Sequence, residues 1–311
     1  MNFKKVVVVG GGVLGSQIAF QAAYCGFEVV ILLRSEDSIK RTKTKLETIK
    51  GMYLNYMEDM KKGSYYPKGI TDKTKLSIQE IDELKKKVEK EFKEIKLTTK
   101  FEEACKEADL VIESITENKE QKETLFKKLS QYLEKKTILV TNTSTLLPSK
   151  LASFTGRPDK FLSLHFSNLI VISNIVEIMP HSGTDKIYCD IIEEFAKKIK
   201  MIPARLLKEQ SGGIIHNLLK NFLKSGTELW VGDYAEPKTI DLTWKTAIRT
   251  PVGPFQIMDY IGINTLYNIR DMEPKSKENG TLEYQVQQKL KKMKDETKLG
   301  YFSGEGFYNY H

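Results

Sequence analysis

Ser144, His165 and Glu177 have the residue types and the setting to move a proton. Ser144 ends Asn142-Thr-Ser144, directly after the apolar run Thr137-Ile-Leu-Val-Thr141. His165 sits near the end of Phe161-Leu-Ser-Leu-His-Phe166, and Glu177 lies in Val176-Glu-Ile-Met179. A carboxylate beside one imidazole nitrogen fixes the tautomer and raises the basicity of the ring, which makes a competent general base. A histidine after an apolar strand is more often structural. Here a glutamate follows twelve positions later (165 to 177), across a strand–loop–strand pattern, and that favours the catalytic reading.

A second chemical signature lies near the N-terminus. Gly10-x-Gly12-x-x-Gly15 follows the apolar run Val6–Val9, encloses Val13 and Leu14, and opens a helical stretch from Ser16 to Tyr24. A strand feeding a glycine turn into a helix brings backbone amides to a pyrophosphate at the positive end of the helix dipole. The next apolar run, Val29–Leu33, completes a strand–helix–strand unit of dinucleotide-binding length.

The remaining pattern supplies the elements that position these groups. A Lys/Glu-rich region at about 36–96, interrupted near Gly63–Gly69, reads as a helical hairpin projecting from the nucleotide domain and mostly solvated. Strands follow at Ala108–Glu113, Thr137–Thr141, Phe161–Phe166, Val176–Met179 and Pro203–Leu207, with helices at Lys119–Leu133 and Asp190–Ile199. The alternation predicts an α/β, Rossmann-type doubly wound sheet at 1–208 and an all-α domain at 209–311. In such a sheet ligands bind beyond the carboxyl ends of the strands, where Asn142, Ser144 and His165 fall.

With 311 residues, 29% charged and 40% apolar, the chain is expected to be globular. Its net charge of +8 fits a solvated lysine-rich surface or attraction for a ligand carrying several phosphates. Basic residues alternate with glutamate, as in Lys85–Glu94, which argues against nucleic acid. Cys25, Cys105 and Cys189 are too scattered for a disulfide framework or a metal site, so no metal is expected and a reducing cytoplasm is. The start, Met1-Asn-Phe-Lys-Lys5, has a charged leader's look. Three glycines end its apolar run and no cleavage site follows, so it reads as a first strand; no apolar run is long enough for a membrane span.

The chain resembles the L-3-hydroxyacyl-CoA dehydrogenases, especially the short bacterial 3-hydroxybutyryl-CoA dehydrogenase-like forms. The resemblance is carried by Gly-Gly-Gly-Val-Leu-Gly-Ser-Gln-Ile-Ala (10–19), Ala-Asp-Leu-Val-Ile-Glu-Ser-Ile-Thr-Glu (108–117), Thr-Asn-Thr-Ser-Thr-Leu-Leu-Pro-Ser (141–149), His-Phe-Ser-Asn (165–168) and Val-Glu-Ile-Met (176–179). In the second domain it continues with Thr-Ile-Asp (239–241), Gly-Pro-Phe-Gln-Ile-Met-Asp-Tyr-Ile-Gly (253–262) and Gly-Glu-Gly-Phe-Tyr (304–308). The resemblance implies hydride transfer between NAD(P)(H) and C3 of a short-chain 3-hydroxyacyl-CoA or its 3-oxo partner. It implies His165 as base, Glu177 as its partner, Ser144 on the reacting oxygen, and Glu117, Lys122 and Asn168 as cofactor contacts. It further implies a homodimer, paired through the second domain, which also contributes to the substrate cleft.

Departures from the family pattern leave alternatives open. Leu33 replaces the aspartate usual for the ribose 2′-hydroxyl, and Arg34-Ser35 follow at once, so the cofactor preference leans to NADP(H). The family's active-site asparagine aligns with His216 or, after a one-residue shift, with Asn217. Ser211-Gly212 stands for Pro-Gly, and Phe302 for a lysine. These changes keep two rivals in view: a catalytically decayed relative with a sensing or structural role, and a dehydrogenase of a non-CoA 3-hydroxy acid.

Overall fold

The computed structural model describes residues 3–310; Met1, Asn2 and, of the four histidines, His311 lie outside them. In chain order the first unit, which ends at Ile214, contains β1 (Lys5–Val9), α1 (Val13–Tyr24), β2 (Glu28–Leu32), α2 (Glu36–Lys61), α3 (Ile78–Glu94), β3 (Lys96–Thr98) and α4 (Phe101–Cys105). It continues with β4 (Leu110–Glu113), α5 (Lys119–Leu129), β5 (Ile138–Thr141), β6 (Phe161–Phe166), β7 (Ile175–Met179), α6 (Lys186–Lys198) and β8 (Ile202–Arg205). The sheet order is β3-β2-β1-β4-β5-β6-β7-β8. All neighbours are parallel except β6 and β7.

The continuous valine run of β1 follows from burial on both faces, as parallel sheets covered by helices require. Val6 and Val8 join Val29 and Ile31 in a core shared with α1, α2, α3 and α6, while Val7 and Val9 join Val30 and Leu32 in a second core under α5. The strand's two-residue period thus sorts one apolar run into two layers.

The hairpin differs from the solvated projection expected of it. Leu46, Ile49, Tyr53, Met57 and Met60 recur along α2 at helical spacing and are buried in the main core. Their stripe is narrow among lysines and glutamates, so composition conceals it, yet α2 and α3 both pack on α1. Ser35 and Ser77 cap the two helices, Ser77 in a reciprocal box with Glu80. The sequence reading passed over β3 and α4, which are three and five residues long.

The second unit is helical: α7 (Ile215–Val231), α8 (Pro237–Ile248), α9 (Pro254–Ile261), α10 (Ile263–Asp271) and α11 (Leu282–Asp295). Trp230, Phe255 and Phe307 form an edge-to-face cluster with centroids 4.9 to 5.8 Å apart. Two buried carboxylates clasp this unit together. Asp241 accepts from the Phe255 and Gln256 amides and the Tyr308 hydroxyl, and Asp259 from the Phe307 and Tyr308 amides and the Tyr310 hydroxyl. Burial pushes the Asp259 carboxyl up, against those hydrogen bonds. No helix among the described residues is long and apolar enough to cross a membrane.

Candidate active site

His165 and Glu177 are direct partners across the antiparallel β6–β7 ladder. That pairing sets imidazole Nδ1 3.1 Å from Glu177 Oε2, while Nε2 lies 3.2 Å from Ser144 Oγ. Glu177 is nearly wholly buried, and its Oε1 accepts the Ile214 amide at 2.7 Å. Gly213 crosses this carboxylate at φ +58°, where a Cβ would overlap Oε2. With Nδ1–H donated to Glu177, Nε2 is the open acceptor. Ser144 is exposed and His165 half-buried, so the pair faces a small cavity it shares with Thr143, Ser163, Met179 and Leu206.

Ser, His and a carboxylate in this order also describe an activated serine nucleophile. The backbone argues against that use. The Ser144, Thr145 and Leu146 amides, which would hold an oxyanion, all point onto Glu117 Oε1, at 3.1, 2.8 and 3.4 Å. An acyl-transfer site needs such donors free. What remains is a histidine base with a serine hydroxyl beside it, suited to taking a proton from an alcohol.

The glycine turn has the form a pyrophosphate needs. Gly10 adopts φ +109° against the Ser114 carbonyl, and a Cβ on Gly15 would overlap the Gly10 carbonyl oxygen. Around Gly12, the N-cap of α1, a Cβ would meet nothing within 4 Å, which leaves the amides of the first turn approachable. Ser16 Oγ, buried in that turn, has no hydrogen-bond partner among the described residues. Val13 is exposed at the mouth, and Leu14 packs against the core. Gly15→Ala is therefore expected to push the Gly10 carbonyl out of place, lowering the melting temperature and abolishing most dinucleotide binding; unchanged affinity by fluorescence titration would show that this turn does not hold the dinucleotide.

The end of β2 carries no carboxylate. Leu33 is buried, packed over Gly11, and so does not face a ribose. Arg34 is exposed, and the hydroxyl of Ser35 caps α2 at Ser38, whose Oγ lies 3.0 Å away. The sequence reading missed the next turns of the same helix. Arg41 Nη2 donates to Ser38 Oγ at 3.1 Å, and Lys45 Nζ reaches the Gly11 carbonyl at 3.3 Å. The i, i+4 spacing of Arg41 and Lys45 was the available signal.

The Lys122 side chain has no exposed surface and is bound to both oxygens of Glu113 at 2.7 and 2.8 Å. A buried ammonium needs such partners. Asn142 ties strand ends together, donating to Ser114 Oγ at 3.2 Å and accepting the Phe166 amide at 2.9 Å. Asn168 is exposed after β6. His216 and Asn217 lie in the first turn of α7 in the second unit, the former exposed, the latter half-buried.

Residues 5–210 match the family described as 3-hydroxyacyl-CoA dehydrogenase, NAD binding domain, and residues 212–310 its C-terminal domain. The human mitochondrial hydroxyacyl-coenzyme A dehydrogenase is 30% identical over 309 residues, 99% of this chain and 91% of that protein. A 3-hydroxybutyryl-CoA dehydrogenase of Clostridioides difficile is 28% identical, over 98% and 99% of the two chains. Among solved structures, a diketoreductase described as acting on dicarbonyl compounds superposes with a TM-score of 0.86 at 35% identity, covering all of both chains.

Proposed function

The chain belongs to the 3-hydroxyacyl-CoA dehydrogenase family of NAD-dependent oxidoreductases, and we propose that it interconverts short-chain 3-hydroxyacyl-CoA and 3-oxoacyl-CoA with His165 as general base. The hydrogen-bonded line from Ser144 through His165 to Glu177 carries this reading. A bound nicotinamide supplies the hydride acceptor or donor. His165 Nε2 takes the C3 hydroxyl proton, Glu177 compensates the imidazolium charge from Nδ1, and Ser144 holds the reacting oxygen in line. Because this line is intact, a decayed relative is the weaker reading. The test is acetoacetyl-CoA with NADH and, separately, NADPH, followed at the nicotinamide absorbance; no turnover with either cofactor would reject the proposal.

A second reading, a non-CoA substrate, gains support from the likeness to a diketoreductase. A simple 3-oxo ester assayed beside acetoacetyl-CoA separates the two, since only CoA-dependent recognition favours the thioester strongly.

The cofactor preference in this proposal is NADP(H). Arg41 and Lys45, with the hydroxyls of Ser35 and Ser38, lie on the first turns of α2, directly after the exposed Arg34 and the strand end where the fold usually offers an acid to the ribose, and that composition suits a phosphate.

We read 1–208 as the cofactor-binding domain and 209–311 as the pairing domain of a homodimer. Leu218 and Leu229 on α7, and Leu242, Trp244 and Ile248 on α8, are exposed apolar side chains, and such a concentration marks an interaction surface. Sedimentation at micromolar concentration is expected to give twice the chain mass; a monomer would count against pairing.

A further inference from the structure

Five donors converge on one oxygen of Glu117. Oε1 accepts the hydroxyls of Thr143 and Thr145 at 2.5 and 3.0 Å and the amides of Ser144, Thr145 and Leu146 at 3.1, 2.8 and 3.4 Å. Oε2 faces Lys122 Nζ at 3.5 Å. Lys122 is itself fixed by Glu113, which also accepts the Thr141 hydroxyl at 2.5 Å and the Ile115 amide at 2.7 Å. A line of hydrogen bonds, joined by the Lys122–Glu117 ion pair, thus runs from the buried ends of β4 and β5 to the exposed turn that presents Ser144. Burial works against the ionised Glu117, yet Thr143, Thr145 and the Lys122 charge hold its carboxyl below the usual range.

We propose that Glu117, braced by Lys122 and Glu113, is a positioning residue that holds the 143–146 turn so that Ser144 stays within reach of His165 and of the reacting oxygen. Three successive amides turned to one point make an anion nest. Without an anion there, these amides would turn to water and the turn would lose its shape. Ser144 is exposed; besides Glu117 the turn is tied by the Leu146 amide donating to Thr143 Oγ1 at 3.1 Å and by Ser211 Oγ donating to the Thr145 carbonyl at 2.8 Å, neither of which fixes the three amides to one point. This role is different from a direct cofactor contact, and it rests on the reading of Ser144 as the residue that binds the reacting oxygen.

The test is a double-mutant cycle on the full chain with acetoacetyl-CoA. Glu117→Ala is expected to lower kcat by roughly 10- to 100-fold, the scale of a misplaced catalytic group. In a Ser144→Ala background the same change should cost about twofold at most, because the group it positions is already gone. Cofactor Kd stays constant, and Glu117→Gln, whose amide oxygen still accepts, restores part of the rate. If Glu117→Ala fails to fold in a thermal melt, Glu117→Gln carries the same cycle. Equal losses in both backgrounds, or a loss seen in cofactor Kd instead of kcat, would overturn the positioning role. Full activity of Ser144→Ala or His165→Ala would instead reject the reading on which it rests.

Discussion

His165→Ala is expected to lower turnover of acetoacetyl-CoA by ~10²–10⁴-fold, the contribution of a positioned general base, with little change in cofactor affinity. The expectation follows from geometry. Nδ1 is 3.1 Å from a buried carboxylate, and Nε2 turns to the cavity beside Ser144. Alanine removes the proton acceptor and leaves Glu177 bonded to the Ile214 amide, so the strands around it keep their places. The glycine turn, which is built from β1 and α1, is untouched, so nicotinamide dinucleotide binding by fluorescence should match the parent. Glu177→Gln should lose less, because the ring keeps an oxygen partner but not its charge compensation. Near-normal activity of His165→Ala would remove the histidine from the mechanism.

The cofactor experiment carries the second large effect. The protein is expected to use NADPH over NADH with a kcat/KM ratio on the order of 10² or more. Charge-assisted hydrogen bonds contribute ~1.5–3 kcal/mol each, and ~1.4 kcal/mol is tenfold, so two phosphate contacts already reach that range. Arg34 and Arg41 are the natural pair, since an arginine fork matches phosphate geometry. Each arginine-to-alanine change should reduce NADPH use by about tenfold or more on the same scale and spare NADH. Leu33→Asp should act in the opposite sense, although Leu33 is buried over Gly11 and the new carboxylate must first reach the surface. Equal use of both cofactors by the native protein would end the argument for a phosphate clamp, as would losses in the arginine variants that fall on NADH as heavily as on NADPH.

Much of this site was legible in the residues because the strands are short and apolar, so each polar residue at a strand end stands out. Asn142, Ser144, His165 and Glu177 were visible for that reason. The partnership of His165 with Glu177 was legible from a connection too short for a parallel crossover, which needs a dozen or more residues. The burial of the hairpin was not. Five apolar side chains spread over the 26 residues of α2 scarcely alter its composition, and only their spacing reveals the face. The place of Lys122 was hidden for a different reason. A lysine in the first turn of an otherwise polar helix looks solvated until Glu113, nine residues earlier on another element, is known to lie against it. Arg41 and Lys45 likewise acquire meaning only when α2 is seen to run past the Gly11 carbonyl.

The reversal of β7 beside β6 bears on how the protein tolerates changes of chain length. Because base and carboxylate face each other as rungs of one ladder, loss or gain of a single residue inside either strand turns one of them to the opposite side of the sheet. Length changes between the strands, in residues 167–174, leave the rungs paired. Here too there is a fixed point: the Ile170 amide donates to Gln17, and the Val171 carbonyl accepts from Gly69. Asn174 is another, donating its side-chain amide to the Lys200 carbonyl while its own carbonyl accepts the Ile202 amide, so tolerated insertions should avoid residues 170, 171 and 174, and homologous chains of different length should exchange the whole hairpin as one piece with the His165–Glu177 pair intact.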